Sequence, residues 1–535
     1  MSPGNEAQRN AGQPSQAGAR WARANCRPCD LPRVVVAGTG SGVGKTTVAC
    51  GLIAALCARG ERVQGFKVGP DYIDPSYHTL AAGRPGRNLD AFLSGAELIA
   101  PLFAHGMRGA SLAVVEGVMG MFDGASGRGE LASTAHVAKL LRAPVLLVVD
   151  AAATARSVAA IVHGFRTFDP QVKFAGVIFN RVGSEHHAQL LREAVEPLGV
   201  AVIGALPRDP RLATPERHLG LIPAGERAAA ARRTLRELGE ALAHHLDLEL
   251  VTRIARSAPP LACVPWDPQV ALGAAAGARV GTDATIAVAA GPAFSFHYRE
   301  NLELLEAAGA ELAPFDPTRG DTLPPDSSGL LLAGGFPECY AEELAANAPL
   351  RAEIATLCAQ GAPVLAECGG LLYLCESLDG RPMCGVLPAR ARMSERLTLG
   401  YREATALTAT PWLTAGQKVR GHEFHYSRVE PASGDVVGGR EARGRGVRAR
   451  DSREREGRGS SLGAAWLLRS RGRERAEGFV AGGVQASYLH THWAAYPELA
   501  AGFARAAAAA RAATAASAGD ATTSSARTHR TPVAR

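Results

Sequence analysis

The chain has 535 residues, 47% of them hydrophobic and 20% charged, with a formal net charge of +7 at pH 7. This length builds two or three domains with full cores, and the composition is globular rather than fibrous or disordered. No apolar run approaches the roughly 20 residues of a membrane span, and the polar amino terminus carries no apolar signal core. The expected compartment is therefore the cytoplasm, where the 10 cysteines stay reduced.

Residues 1–30 read as a disordered extension. Cys26 and Cys29 form a C-x-x-C there without a second ligand pair, so neither zinc nor redox chemistry is expected of them. From "RVVVAG" onward, short Val/Leu/Ile-rich runs alternate with helix-length segments. The runs are "RVQGFKVG", "LAVVEGV", "PVLLVVD", "KFAGVIFN" and "VAVIGALP". Such alternation predicts a parallel sheet covered on both faces by helices, an α/β domain over 31–257. "ERAAAARRTLRELGEALAHHL" closes it, and 258–284, opening on the Pro-containing stretch Ala258–Pro268, reads as a linker. A second α/β unit over 285–500 begins with "TIAVAA", passes through "SSGLLLAGG" and "APVLAECGG", and ends with "GVQASYLHTHW". The basic excess is concentrated between Gly438 and Gly478 in Arg-rich runs almost without aromatics. With no helix-turn-helix or zinc pattern beside them, these runs read as a solvated insertion, and no nucleic-acid partner is expected. The segment 501–535 reads as a low-complexity tail, disordered from about Arg505 beyond its first helical turns.

The first strand runs into "GTGSGVGKTT" and then a helix. Backbone N–H groups of such a loop point at phosphate oxygens. Gly38, Gly42, Gly44 and Thr47 belong to the cradle, Lys45 suits the terminal phosphates of ATP, and the Thr46 hydroxyl suits Mg²⁺. The step from Gly38 to Gly44 is one residue longer than the standard spacing. Glu116 ends an apolar strand where a carboxylate can hold Mg²⁺ directly or through water. Asp71 and Asp74, beside Pro70 and Pro75, suit metal or phosphate chemistry, or serve as turn residues. Asn180 ends "AGVIFN" and suits an adenine edge or a cap.

In "APVLAECGGLLYL", Cys368 falls between the end of a buried strand and the start of a helix. A cysteine at such a turn is exposed, and the helix N-terminus favours its thiolate. Gly369 and Gly370 allow close backbone approach, although Ala366 stands where the commoner elbow has glycine.

Together, "GTGSGVGKTT", "GFKVGPDYIDPSYH", "VEGVMGMFDG", "PERHLGL", "FSFHYRENLELLE", "GGFPE" and "RLTLGYREA" resemble the cobyrinic or hydrogenobyrinic acid a,c-diamide synthases, from about Arg33 to Pro497. The resemblance implies a dethiobiotin-synthetase-like P-loop ATPase domain followed by a class I, flavodoxin-like glutamine amidotransferase domain. It implies a carbon–nitrogen ligase that uses ATP, Mg²⁺ and glutamine to make two amides on a corrinoid during cobalamin biosynthesis, through an acyl-phosphate-type intermediate. Cys368 matches the family's nucleophile. His490 and His492 in "SYLHTHW" are both candidate bases, and the related cobyric acid synthases favour His490. His425 in "GHEFHYS" is read as packing or pocket-lining. Gly334, Gly335 and Gly369 suit the oxyanion and glutamine pocket. No Glu follows His490 by two residues, so a Cys–His dyad is expected. Asp71, Tyr72, Asp74, Tyr77 and His78, with Arg217 and His218, are the expected corrinoid contacts. Whether the ring holds cobalt, a nickel-sirohydrochlorin-type substrate, the order of amidation and a homodimer all stay open. A partitioning-type ATPase would have lysine at Gly40 and no second domain.

Overall fold

The computed structural model describes residues 28–209, 224–276, 284–431, 462–470 and 472–527. It divides into two compact units, Met1–Ala271 and Leu272–Arg535.

The first unit is built on seven strands: β1 (Arg33–Gly38), β2 (Val63–Val68), β3 (Arg87–Leu89), β4 (Leu112–Glu116), β5 (Val145–Asp150), β6 (Phe174–Val182) and β7 (Val202–Pro207). They lie in the order β3-β2-β4-β1-β5-β6-β7, every pair parallel. Val34, Val35 and Val36 of the central strand have no exposed surface, because helices cover both faces. Helix α1 (Lys45–Ala58) follows the loop after β1, and α2 (Ile73–Ala82) follows β2. The carboxyl ends of the adjacent strands β2, β4 and β1 thus bring Lys67, Glu116 and the glycine-rich loop together, where open α/β sheets place ligands. Helix α3 (Ala224–His245) packs on α1.

The start of the expected linker belongs to this unit. Leu261 bridges Cys29 through paired backbone hydrogen bonds. Trp266, fully buried, donates its backbone N–H to Pro101 O, and its ring meets His105 edge-on. An indole of that size cannot stay in a free connector without exposing its apolar surface. Residues 1–27, including Cys26, and Arg217 and His218 lie outside the described residues.

The second unit has a mostly parallel sheet of β8 (Thr285–Ala289), β9 (Glu311–Phe315), β10 (Ser327–Leu332), β11 (Val364–Glu367), β18 (Phe479–Ala481) and β19 (Val484–Ser487). Their order is β18-β19-β11-β10-β8-β9, with only the edge strand β18 antiparallel. A second sheet comprises β12 (Cys375–Leu378), β13 (Arg381–Pro382), β14 (Leu387–Ala406), β15 (Lys418–Pro431) and β20 (His490–Thr491) in the order β13-β12-β14-β15-β20. The hairpin of β16 (Trp466–Ser470) and β17 (Arg473–Glu477) joins it at β14.

Two expectations are corrected here. Part of the segment read as an Arg-rich insertion is this hairpin, whose Trp466, Leu468 and Glu477 are buried while its arginines face outward. Residues 438–461 lie outside the described residues. The low-complexity tail begins as a core helix: α5 (Pro497–Arg527), after the short α4 (Gly369–Leu374), buries Leu499, Ala500, Phe503, Ala504 and Ala507.

Candidate active sites

In the first unit, Gly42 and Gly44 have φ of 76° and 98°, a left-handed conformation that turns the loop's N–H groups inward. A Cβ on Gly44 would lie 2.1 Å from Asn180 Nδ2. Asn180 is thus built into the loop, its amide donating to Val43 O at 2.9 Å. Lys45 Nζ donates to Gly40 O at 2.7 Å, so the loop cradles its own lysine. Burial, then the charge of Lys67, lowers Lys45 to about 8. Thr47 is buried in the first turn of α1.

Behind the loop lies a buried charge cluster. Glu116 Oε1 accepts from Thr46 Oγ1 at 2.6 Å and from Lys67 Nζ at 2.8 Å, and Oε2 lies 2.8 Å from His78 Nε2. Lys67 also reaches Asp74 Oδ2 at 2.5 Å and Gly117 O at 3.0 Å. Burial alone would raise Glu116, but Lys67 and His78 outweigh it and hold the carboxyl well below its usual range. Burial would likewise lower Lys67, but Glu116 and Asp74 hold it above the ordinary lysine range. Burial and the charge of Glu116 push Asp74 up. The cluster therefore carries one firm ion pair, Lys67–Glu116, with Asp74 the more readily protonated carboxyl.

This arrangement reassigns several residues expected to touch the corrinoid. His78 is wholly buried and holds Glu116, Asp74 holds Lys67, and Tyr77 packs in the core against α1. Asp71 Oδ1 accepts the N–H groups of Ile73 and Asp74, starting α2, while Asp71 and Tyr72 are half-buried. Lys67 was missed because a lysine in "GFKVG" reads as a strand-end surface residue; only a buried carboxylate opposite it reveals its role. The Thr46 hydroxyl and Glu116 carboxylate are hard oxygen donors of the kind Mg²⁺ takes with phosphate oxygens. Among the described residues no three His, Cys, Asp or Glu side chains cluster as a metal site, so phosphate and water would complete such a shell.

In the second unit, Cys368 has φ 50° and ψ −98°, a strained conformation for a non-glycine residue at the strand-to-helix elbow. Its N–H donates to Ser487 O at 2.7 Å, and Sγ lies 3.6 Å from Phe424 O. Burial, reinforced by Glu338, Glu367 and Glu423, pushes the thiol well above its ordinary range. This corrects the expected helix-stabilised thiolate: α4 is only six residues long, and desolvation dominates. A Cβ on Gly334 would lie 2.4 Å from His490 Cε1, and one on Gly369 would lie 3.0 Å from Gly335 N. The absence of side chains at these glycines thus leaves room for His490 beside the elbow and keeps a backbone N–H close to it.

His490 and His492 point to different partners. Nδ1 of His490 lies 3.7 Å from Glu367 Oε2, whereas Nε2 of His492 lies 3.5 Å from buried Glu300 and its ring packs on Tyr298. Glu367, immediately before the cysteine, was overlooked because an acid was sought after the histidine. Its Oε1 also accepts from Thr491 N and Oγ1, fixing the strand that carries His490. Glu477 supports the preceding strand, accepting from Ser487 Oγ at 2.5 Å and Tyr488 N at 2.8 Å. His425 stacks on Tyr488.

A phosphate loop on a parallel sheet, joined in one chain to an elbow cysteine on a second α/β unit, defines an ATP-binding synthase fused to a glutamine amidotransferase. Comparison with known families agrees. The CobQ/CobB/MinD/ParA nucleotide binding domain matches residues 34–222, and the CobB/CobQ-like glutamine amidotransferase domain matches 285–497. Hydrogenobyrinate a,c-diamide synthase of Streptomyces coelicolor is 52% identical, with 88% of this chain and 97% of the relative covered. The protein of that name from Mycobacterium tuberculosis H37Rv is 48% identical, covering 89% and 98%. Cobyrinate a,c-diamide synthase of Gloeobacter violaceus is 43% identical, covering 86% and 93%. The chain belongs to the cobyrinate/hydrogenobyrinate a,c-diamide synthase family. It is a carbon–nitrogen ligase with a glutamine amidotransferase domain as its nitrogen source.

Two outcomes follow from these clusters. Lys67→Met leaves Glu116 buried without its cation and should cost about 3–5 kcal/mol of stability, read by denaturant unfolding; an unchanged midpoint would show that Lys67 does not compensate Glu116. Glu477 is raised from 4.5 to about 7, chiefly by burial and then by Glu423. A raised carboxyl binds its proton more tightly in the folded state, so its contribution is full below 4.5 and is lost as pH rises towards 7. The stability of wild type minus that of Glu477→Gln should therefore fall over this range, with a slope approaching about 1.4 kcal/mol per pH unit. A pH-independent difference would contradict the assignment.

Proposed function

We propose that the enzyme amidates the a- and c-side-chain carboxylates of a corrinoid acid, taking nitrogen from glutamine and energy from ATP, in cobalamin biosynthesis. The observation that carries this reading is the strained Cys368 elbow in the same chain as the phosphate loop and its Glu116 cluster. One unit makes ammonia, and the other makes a carboxylate able to accept it.

In the first unit, the side-chain carboxylate attacks the γ-phosphorus of ATP, the bond to the β-phosphate oxygen breaks, and ADP leaves. Ammonia then adds to the acyl carbon and phosphate departs, leaving the amide. Lys45 leaves Gly40 O for the transferring phosphoryl group, and the loop N–H groups hold the remaining phosphates. Thr46 and Glu116 would hold Mg²⁺, which would supply charge neutralisation at the phosphates. Lys67 and His78 hold Glu116 ionised and oriented, and so act as positioning residues.

In the second unit, a high thiol pKa means that Cys368 rests protonated. His490 takes the thiol proton as sulfur attacks the glutamine amide carbon, then returns it to the departing ammonia. Water hydrolyses the thioester to glutamate. Backbone N–H groups of Gly335 and Gly369 suit the oxyanion, and Glu367 orients the His490 ring from the Nδ1 side. The proximity of Gly334 to His490, and the commitment of His492 to Glu300, support His490 as the base.

The relatives at 48–52% identity bear the hydrogenobyrinate name and those at 42–43% the cobyrinate name, which favours the metal-free ring as first substrate. Purified protein should convert hydrogenobyrinate to its diamide with ATP, Mg²⁺ and glutamine, read by mass. If neither hydrogenobyrinate nor cobyrinate gains two amides with glutamine or ammonia, the reading fails. Cys368→Ala should abolish glutamine-dependent amidation and retain the ammonia-dependent reaction, whereas Lys45→Ala should lose both. Loss of both activities in Cys368→Ala would make Cys368 structural.

A further inference from the structure

The two strands that touch Cys368 each send their next residue into a cavity. Phe424 O meets Cys368 Sγ and Ser487 O meets Cys368 N–H; the residues that follow, His425 and Tyr488, stack with ring centroids 3.6 Å apart and planes at 9°. That stack forms part of the wall of a cavity of ≈ 580 Å³ in the second unit, a size ordinary for small-molecule sites.

Four arginines line the same cavity, Arg396, Arg402, Arg428 and Arg475, against one lining carboxylate, Glu430. Arg402 and Arg475 share Glu423, which is fully buried; Arg402 Nε lies 2.5 Å from it. Glu423 thus fixes two guanidinium groups and is used up in doing so. Arg396 and Arg428 have no carboxylate partner among the described residues. Like charges crowded round one concavity are stable chiefly when an anion joins them, and the planar guanidinium fork matches a carboxylate.

A second polar group belongs to the same wall. His425 Nδ1 lies 2.9 Å from Ser427 O and must carry the proton, since a carbonyl only accepts. Nε2 therefore holds a lone pair; it is buried without a hydrogen-bond partner, 4.0 Å from Glu423 Oε1. Burial lowers this imidazole to about 4, so it stays neutral. The wall thus offers guanidinium donors beside a neutral imidazole. Arg396, Thr398 and Arg402 of this wall come from "RLTLGYREA", and His425 and Ser427 from "GHEFHYS".

We propose that this cavity is a carboxylate-binding site, in which Arg396, Arg402 and Arg428 hold a carboxylate-bearing substrate beside the glutaminase cysteine. The inference rests on the function proposed above, which supplies two sources of that chemistry. One is the α-carboxylate of glutamine. The other is the set of side-chain carboxylates on the corrinoid acid.

The test uses the full-length chain with Arg396→Gln, Arg428→Gln and the double variant; both residues are exposed, so the fold is retained. The KM for glutamine is measured from glutamate release, and the KM for the corrinoid acid from amidation with ammonium chloride as nitrogen source. The double variant should raise one of them about tenfold or more, the loss expected of a charge-assisted pair. A rise confined to glutamine identifies its α-carboxylate as the ligand, and a rise confined to the corrinoid identifies the corrinoid carboxylates. The Lys variants at both positions should recover part of the loss. If both KM values stay within about twofold of wild type, the difference is too small for a lost guanidinium–carboxylate pair, and the proposal is overturned. Failure of the wild type to amidate any corrinoid acid would instead sink the proposed function, and the glutamine measurement would still be readable.

Discussion

An ionised carboxylate with no exposed surface constrains the whole first unit. Glu116 needs its charge compensated, and its oxygens are met by Thr46, Lys67 and His78. Those partners come from the first turn of α1, from β2 and from α2, so one carboxylate ties the loop-bearing helix to its two neighbouring elements. Breaking such a pair costs more than its net contribution to stability suggests, because a bare charge is left in low dielectric. That asymmetry makes the cluster a rigid base for a phosphate loop, whose own glycines have little to hold them.

The second unit solves a related problem in backbone geometry. Cys368 is held at positive φ by Ser487 O on one side and the short α4 on the other. Its burial favours the protonated thiol. The acids around it, Glu338, Glu367 and Glu423, reinforce that state. Glu367 and Glu423 also have structural tasks: Glu367 fixes the strand of His490, and Glu423 fixes the arginines of the neighbouring cavity. The charges that raise the Cys368 thiol are among those that build its surroundings.

Much of this was legible in the sequence because its signals are local. Apolar runs of four to six residues ending at Gly38, Glu116 and Glu367 specify buried parallel strands, and the structure forms them there. The antiparallel sheet was not legible. In β14, the inward positions near its start are Leu387, Ala389 and Ala391, and methyl groups between exposed arginines give only a faint period-two signal. The same weakness hid the length and burial of α5, whose buried face is mostly alanine, and β16–β17, whose few apolar residues are lost among arginines. His78 and Asp74 were read as substrate contacts because their motif was informative about family but silent about direction. Only the fold shows that both turn inward to the Glu116 cluster. Glu367 escaped notice for a similar reason, since its link to His490 spans two strands far apart in the chain.

The central chemical claim is that the first unit converts a carboxylate into a phosphorylated leaving group before nitrogen arrives. Corrinoid acid carrying oxygen-18 in its side-chain carboxylates, amidated with ATP and glutamine in unlabelled water, tests it most directly. Transfer of an oxygen-18 into inorganic phosphate for each amide formed is the predicted result. Amide formation accompanied by unlabelled phosphate would contradict it.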